Sequence, residues 1–296
     1  MVKKKRLPRH PGINGKTPNR QTAMSVVSRL ECMNAANRLR LEIRHFAKGT
    51  WPPADGTETA LPVNRFFMPL CNPSGEACFV ADRQRHLTLV PGRAYFIPSY
   101  HPSRMLLDSA LHFISIQFNC ELCDGIDIFS RCRQILELEG ACLLARAKQA
   151  YDCDDDFTAA SLLRALVQEF IARVIPMVGR DGLDAVVRLG EFQSELDYIQ
   201  MHCVVSTTVE KLAARRGVSR ESFSRRFSAM AGIAPKQFLL RAILNRACRL
   251  LLERGTKVKD AAIELGFSSE YYFSRFFRRQ TGMPPGQFQK LYGRGN

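Results

Sequence analysis

The stretch AAIELGFSSEYYFSRFFRRQTGMPP, residues 261–285, places four phenylalanines, two tyrosines and a run of arginines in one short span. Such a mixture is compatible with a buried core, a membrane-surface helix or a surface that binds nucleic acid. A second stretch, VEKLAARRGVSRESFSRRFSAMAGIAPKQF, begins at Val209 and resembles it. Gly217 and Ser219 match Gly266 and Ser268 at an offset of 49, and from Phe223 onward the offset is 50. The duplication indicates that both stretches fold alike.

Each copy has the pattern of two short helices. Val258, Ala261, Ala262 and Leu265 share one helix face. Gly266 then breaks the helix, and Ser268 is expected to cap the next one. A helix, a Gly-containing turn and a second helix form a helix-turn-helix, whose second helix can enter the major groove of DNA. The predicted recognition helices are 219–231 and 268–281.

The second helix of each copy divides into an apolar and a polar face. Phe273, Phe276 and Phe277 are predicted to be buried in one copy, and Phe223, Phe227 and Met230 in the other. The outward positions are polar and basic: Arg220, Glu221, Ser224 and Arg225, and Glu270, Tyr271, Ser274, Arg275 and Arg278. Arginine pairs with guanine in the major groove, and other polar side chains read other base edges. An outer arginine on a single helix could equally be a solvated face, but two copies favour DNA.

Between the copies, PKQFLLRAILNRACRLLLERG is predicted to be one long helix, with Pro235 near its start and Gly255 just past its end. Its predicted buried face holds Leu239, Ala242, Ile243, Ala247, Leu250 and Leu251. A helix of about 20 residues is about 30 Å long. That length suits two units that reach successive major grooves, which lie roughly 34 Å apart.

The charge of the chain is concentrated at its two ends. The net charge is +15 over 296 residues. Residues 1–20 hold seven Lys or Arg and no acid, and residues 191–296 hold 18 Lys or Arg against nine Asp or Glu. A basic domain beside a near-neutral one suggests a polyanion as partner of the first. The basic tail also leaves open a non-specific nucleic-acid-binding protein.

Residues from about 40 to 120 alternate short β-branched and aromatic segments with turn clusters, which is typical of an antiparallel sandwich or barrel. From about 126 to 180 the periodicity becomes helical. Cysteines are scattered, and only Cys120 and Cys123 form a CxxC. We expect no metal site and no cofactor. Because no stretch has the length and apolarity of a membrane span, we expect a cytoplasmic protein that does not bind membranes.

Residues 192–292 resemble the DNA-binding domain of AraC/XylS-type bacterial transcription regulators, through LAARRGVSRESFSRRF and the opening stretch followed by GQFQKLY. The resemblance implies base contacts from Glu221, Ser224, Arg225, Glu270, Tyr271 and Arg275. With their exposed neighbours these give the predicted DNA-binding set: Arg220, Glu221, Ser224, Arg225, Ser269, Glu270, Tyr271, Ser274, Arg275 and Arg278. Two departures are Pro284 in place of Ser or Thr, and Ala242 and Ile243 where many members carry a basic residue. They weaken the expectation of a backbone contact from the long helix, for which Arg241 and Arg246 could compensate.

The stretch LTLVPGRAYFIPSYHPSRM resembles part of the cupin-like sensing domain of the same regulators. The resemblance implies a small-molecule effector, often a sugar or related metabolite, dimerisation through helices at 127–150 and 156–176, and RNA polymerase as a partner. Effector-pocket candidates are Trp51, Arg65, Phe67, Tyr95 and His101. His86, His101 and His112 lack the spacing of a metal cupin, so an enzyme is disfavoured. A regulator that needs no effector stays open.

The predicted fold class is α+β: a cupin-like antiparallel β-barrel with dimerisation helices, then an all-α domain with two helix-turn-helix motifs joined by a long helix. The predicted boundaries are a disordered basic tail at 1–20, the effector domain at 21–178, a linker at 179–190 and the DNA-binding domain at 191–296.

Overall fold

A computed structural model describes the fold of most of the chain, at residues 37, 39–50, 54–123, 126–130, 132–178, 189–253 and 255–292. The predicted tail 1–20, Trp51 and most of the predicted linker lie outside these ranges. Residues 39–296 form one compact unit. Within it, an N-terminal β domain precedes a C-terminal helical domain, as the sequence predicts.

The strands follow the predicted alternation of short apolar segments and turns. They are β1 (Arg40–Thr50), β2 (Ala54–Thr59), β3 (Asn64–Cys71), β4 (Phe79–Ala81), β5 (His86–Thr88), β6 (Arg93–Ile97), β7 (Ser103–Leu107), β8 (His112–Cys123), β9 (Ile126–Asp127) and β10 (Leu136–Glu139). One sheet has the order β1-β8-β3-β6-β10, with β9 beside β8, and the other has the order β2-β7-β4-β5. The described strand pairs are antiparallel.

Strand β3 supplies side chains to both faces of its sheet, because successive residues of a strand point to opposite sides. Phe66 stacks on Phe170 of the helix that covers the sheet, with 4.0 Å between the ring centroids. Arg65 and Phe67 point to the other side, and Phe67 packs in a core cluster with Tyr95 and Leu107. The space between the two sheets is therefore lined by the odd-numbered residues of β3.

The helices of the β domain are α1 (Ala141–Tyr151) and α2 (Asp156–Val178). The prediction of a first helix at 127–150 is wrong for its first half, where β9 and β10 lie. Leu136 pairs with Phe96 across the sheet, and Arg93 forms ion pairs with Glu137 and Glu139. These cross-strand partners are distant in sequence, so the helical spacing of the local apolar residues is misleading.

The C-terminal helices are α3 (Gln193–His202), α4 (Val209–Arg215), α5 (Arg220–Ala231), α6 (Pro235–Leu252), α7 (Val258–Glu264), α8 (Glu270–Thr281) and α9 (Pro285–Tyr292). Helices α4 and α5 form the first helix-turn-helix unit, and α7 and α8 form the second. Helix α6 joins them with Pro235 at its first turn, and its 18 residues correspond to about 27 Å. The predicted α6 face is buried throughout.

Helix α6 is also buried on a second side, at Leu244, Asn245 and Cys248. The barrel covers this side, since Tyr100 and Glu121 of the β domain both bond to Asn245. Leu61 and Val63 of the β domain belong to the same apolar cluster as the helical core. The long helix therefore packs on the helix-turn-helix units and on the barrel.

Candidate nucleic-acid interface and ligand cavity

The two helix-turn-helix units share the same local devices. The turn glycines, Gly217 and Gly266, have φ values of 68° and 76°, a region that suits residues without a Cβ. Ser219 caps α5, where its Oγ accepts a hydrogen bond from the Ser222 N–H at 3.2 Å. Ser269 caps α8 by accepting from the Tyr272 N–H at 3.4 Å. The predicted cap Ser268 is wrong by one residue, because the extra residue of the second copy lies in the turn before the cap.

The outer face of α5 holds the predicted contacts of the first unit. Glu221 and Arg225 are exposed and Ser224 is half-buried. Arg220 is also exposed, and its Nε lies 2.9 Å from Glu210 Oε1 on α4. On the opposite side, Phe223 and Phe227 are fully buried. The four predicted residues therefore share one accessible face of a firmly anchored helix.

The outer face of α8 has the same arrangement. Glu270 and Arg275 are exposed, Ser274 is half-buried, and the Tyr271 side chain is 68% exposed. Tyr272, which the sequence interpretation did not single out, is 57% exposed. Phe273 and Phe277 are buried as predicted, whereas Phe276 is only half-buried, against Phe267. Two exposed tyrosines beside two arginines give this face both apolar and cationic chemistry.

Arg278, the last predicted contact on α8, differs from the others because it also lines a cavity. The cavity has a volume of about 490 Å³ and lies between the two sheets and the C-terminal end of the second unit. Its barrel wall includes Phe67, Leu107 and Phe113, and its helical wall includes Leu291 and Tyr292 of α9. Such a volume lies in the usual range for small-molecule pockets. The outer face of α8 and the cavity therefore meet at Arg278, near the C-terminal end of the helix.

Arg65 is a buried charged group in the wall of this cavity. It is only 6% exposed. Its Nη2 donates to Ser103 Oγ at 2.8 Å, and its Nη1 lies 3.5 Å from Thr59 Oγ1 and 3.4 Å from Met105 Sδ. Its Nε has no acceptor in the described part of the chain, where no carboxylate lies within 4 Å of the guanidinium either. Burial lowers the pKa of Arg65, yet arginine stays protonated in proteins, so the charge is uncompensated. An unpaired buried charge of this kind costs several kcal/mol.

The other predicted effector residues have different surroundings. Phe67 lines the cavity beside Arg65. Tyr95 is fully buried outside the cavity lining, and its hydroxyl donates to the Thr88 carbonyl at 2.7 Å. His101 Nε2 lies 2.9 Å from Asp82 Oδ2. Trp51 lies outside the described residues. The structure thus brings Arg65 and Phe67 to the cavity wall, whereas Tyr95 contacts Phe67 without lining the cavity and His101 does not line it either.

Several residues that line the cavity are not among those predicted from the sequence. Met105, Phe113 and Gln117 come from β7 and β8, and Gln287 and Tyr292 come from α9. The strand alternation of HFISIQF could have indicated that Phe113 and Gln117 share a face. Nothing local indicated that α9 closes the barrel. The missing information is the packing of two domains that are far apart in sequence.

The junction beside the cavity joins the second unit and α6 to the barrel. The Ala60 N–H donates to the Thr281 carbonyl at 3.3 Å. Gly282 has a φ of 86°, and a Cβ at this position would lie 2.6 Å from the Glu58 carbonyl oxygen. Close contact with strand β2 therefore requires a glycine here.

A second point of the junction is a buried polar group on α6. The Tyr100 hydroxyl donates to Asn245 Oδ1 at 2.7 Å, and Asn245 Nδ2 donates to Glu121. Burial raises the pKa of the Tyr100 hydroxyl well above its ordinary value, which keeps it a neutral donor. The Arg241 guanidinium stacks over the Tyr100 ring at 4.2 Å. The side chains of α6 are thus matched to this face of the barrel.

The described residues contain neither a metal-binding cluster nor a membrane-spanning helix. No three His, Cys, Asp or Glu side chains converge into a metal-binding group within those ranges. Among the helices that the structure describes, none combines the length and apolarity needed to cross a membrane.

Comparison with known proteins shows what the C-terminal units are similar to. Residues 212–291 match a family model described as a helix-turn-helix domain. The transcriptional regulator MtrA of Neisseria gonorrhoeae is 33% identical over 85 residues, which are 29% of this chain and 28% of MtrA. An AraC-like transcription regulator of Streptomyces lividans is 38% identical over 85 residues, with the same two coverages. This chain thus aligns with under a third of either relative.

Solved structures extend the likeness to the β domain. ToxT from Vibrio cholerae, in its apo K231A form, matches with a TM-score of 0.58 at 11% identity, over 83% of this chain and 97% of ToxT. Wild-type ToxT with a bound unsaturated fatty acid matches with a TM-score of 0.52 at 12% identity, over 86% and 95%. At this identity the likeness concerns the fold, and it agrees with the predicted barrel followed by two helix-turn-helix motifs. The helix-turn-helix domain of this chain is therefore similar to that of AraC-like transcription regulators, and most of the chain has the fold that ToxT adopts.

Proposed function

We propose that this chain is a transcription regulator that reads double-stranded DNA with α5 and α8 in successive major grooves. The observation that carries the proposal is the paired geometry of two equivalent helices. Each is anchored by buried phenylalanines and exposes an arginine and a glutamate on its outer face, with a half-buried serine beside them. The connecting helix, at about 27 Å, is close to the roughly 34 Å between successive grooves.

A small-molecule effector in the 490 Å³ cavity is the second part of the proposal. The cavity has one wall in the barrel and one in α8 and α9, so a ligand there contacts the domain that binds DNA. The polar side chains of the cavity, which include Thr57, Ser115 and Gln117, agree with the carbohydrate that the sequence resemblance implies, whereas the charge of Arg65 favours an anionic effector. Effector-independent DNA binding is the competing interpretation, and it assigns the cavity no role.

The remaining partners follow from this assignment. A second copy of the chain is expected to pack against α1 and α2, where Phe157 is 86% exposed and Met177 is 47% exposed. We further propose contact with RNA polymerase, a cytoplasmic location and no catalytic activity, as suits a regulator that binds DNA.

Arginine substitutions on the two outer faces test the DNA assignment. The target site is first selected from a random DNA pool with the full chain, and fluorescence anisotropy then gives affinities for this site and for scrambled DNA. Loss of one specific base contact costs about 1–3 kcal/mol, so Arg225→Ala and Arg275→Ala should each weaken specific binding roughly tenfold. Arg83→Ala serves as the matched control, because Arg83 is exposed in the loop between β4 and β5.

Two results would contradict the assignment. Unchanged specific affinity in both variants would remove these arginines from the recognition faces. A ratio near one between selected and scrambled DNA for the wild type would favour a non-specific nucleic-acid-binding protein. In both DNA-binding hypotheses the affinity falls with salt, so the ratio at one fixed salt concentration makes the distinction.

A further inference from the structure

The buried guanidinium of Arg65 identifies the chemistry of the ligand that the cavity takes. We propose that the effector is an organic monocarboxylate, with its carboxylate on Arg65 and an apolar body in the rest of the cavity. This inference rests on the proposed effector function and makes it more specific. It depends on Arg65 lying at the cavity wall, 6% exposed, with its Nε unpaired in the described part of the chain.

A carboxylate is the group that best completes the surroundings of Arg65. The planar guanidinium offers parallel N–H groups that match the two oxygens of a carboxylate. The protein supplies only neutral partners, through Ser103, Thr59 and Met105. An anion would supply the missing counter-charge beside a buried guanidinium, where charge–charge attraction is stronger than in water. A neutral sugar would leave the charge of Arg65 uncompensated.

The other charged groups around the cavity agree with a single negative charge on the ligand. Arg278 faces it from α8 and adds positive potential. Asp55 faces it from β2, with its carboxylate held by the Thr57 N–H at 2.9 Å. Burial raises the pKa of the Tyr292 hydroxyl, so this group of α9 is a neutral donor. Arg65, Arg278 and Asp55 together give the cavity wall a net charge of +1, which one carboxylate on the ligand would neutralise.

An apolar ligand body follows from the rest of the wall. Phe67, Leu107 and Phe113 of the barrel line the same cavity as Met283, just after α8, and Leu291 of α9. Apolar surface on both sides favours a hydrocarbon or aromatic body, because its burial is favourable without any further polar partner. A ligand that spans these walls contacts the barrel and the second helix-turn-helix unit at once.

Four small molecules test separately whether the ligand needs a carboxylate and whether it needs an apolar body. Decanoate has the carboxylate and the apolar body, decan-1-ol has only the apolar body, gluconate has only the carboxylate, and glucose has neither. Isothermal titration of the full-length wild type should show decanoate binding roughly tenfold or more tighter than the other three. Equal affinities for decanoate and decan-1-ol, or no binding of decanoate, would overturn the carboxylate assignment.

Two substitutions at Arg65 then locate the carboxylate. Arg65→Met removes the charge at similar length, and the preference for decanoate over decan-1-ol should disappear. Arg65→Lys keeps the charge, and part of the preference should remain. Because Arg65→Met also removes an uncompensated buried charge, its melting temperature without ligand should equal or exceed that of the wild type. A preference that survives Arg65→Met would place the carboxylate elsewhere.

Selected-site DNA affinity of the same samples separates this proposal from the functional one. Specific DNA binding without any decanoate binding would contradict only the ligand class. Decanoate binding without specific DNA binding would contradict the DNA-binding assignment and leave the cavity assignment standing.

Discussion

The first and second helix-turn-helix units are copies in sequence with different surroundings in the folded chain. Both have a turn glycine at positive φ, a serine cap, two buried phenylalanines and a glycine at the end of the second helix. The first unit packs on α3 and the turn before it, where Phe192 contacts Phe223 and Phe227 at 5.5 and 5.2 Å between centroids. The second packs on α9 and on strand β2. Local sequence thus determines the unit, and distant sequence determines what the unit touches.

The electrostatic surroundings differ in the same way. In the first unit Arg216 and Arg226 form ion pairs with Glu191, just before α3. In the second, Arg278 lines the cavity with the buried Arg65 nearby in the barrel wall. The first unit is therefore held by helical neighbours within the C-terminal domain, while the second contacts the barrel and the cavity.

The largest expected difference between the two units is at their terminal glycines. Gly232 and Gly282 have φ values of 70° and 86°. Alanine in this conformation costs about 1–2 kcal/mol, so Gly232→Ala should lower the free energy of unfolding by that amount. Gly282→Ala adds a Cβ 2.6 Å from the Glu58 carbonyl oxygen and should cost about 3–4 kcal/mol in total. Urea unfolding of the two variants measures both values.

The excess cost of Gly282→Ala should come from the junction. Limited proteolysis should accordingly show faster cleavage between the β and helical domains of Gly282→Ala than of Gly232→Ala. Equal unfolding energies and equal cleavage would mean that strand β2 does not press on the second unit in solution.

The second prediction concerns Asn245, where the barrel contacts the helix that joins the units. Asn245→Leu keeps the volume but removes the donor to Glu121 and the acceptor of the Tyr100 hydroxyl, both buried. The expected loss is about 2–3 kcal/mol, because one of the bonds involves a charged group. Tyr100→Phe removes one neutral donor, which bonds Asn245 at 2.7 Å and lies 3.5 Å from the Arg241 carbonyl, and should cost about 1 kcal/mol. Urea unfolding gives both values, and a smaller loss for Asn245→Leu than for Tyr100→Phe would contradict this network.

The same contrast explains which parts of the fold could be predicted from the sequence. The face of α6 that packs on the helical units was predicted fully, because its apolar residues repeat at helical spacing. The second face, at Leu244, Asn245 and Cys248, was not, since a buried asparagine carries no such signal. Its partners, Tyr100 and Glu121, are more than a hundred residues away in the chain. The spacing of apolar residues predicts which face of a helix is buried. A single polar contact between domains leaves no such repeat in the sequence.

The binding sites divide in a similar way. The outer positions of α5 and α8 follow from the helical period, and the structure places them on accessible faces. The sequence predicts Arg65, Phe67, Tyr95 and His101 as pocket residues because each is a polar or aromatic group in or beside a strand. Only Arg65 and Phe67 of these four line the cavity. The difference is made by α9, whose residues close the cavity over β3. Local sequence patterns indicate candidate pocket residues. Which of these residues line the cavity depends on how the two domains pack.

The smallest expected effect is at the helix caps, where the two units should behave alike. Ser219 and Ser269 each satisfy one N–H of the first turn, at 3.2 and 3.4 Å. Loss of a serine cap costs about 1 kcal/mol, so Ser219→Ala and Ser269→Ala should lower the free energy of unfolding equally, to within about 0.5 kcal/mol. Ser268→Ala is the internal control, because Ser268 is exposed and precedes the cap. Its expected effect is within about 0.5 kcal/mol of zero. A loss at Ser268 as large as that at Ser269 would move the cap back by one residue, and with it the start of the second recognition helix. Equal costs at the two caps and unequal costs at the two terminal glycines would together show that the barrel acts on the end of the second unit alone.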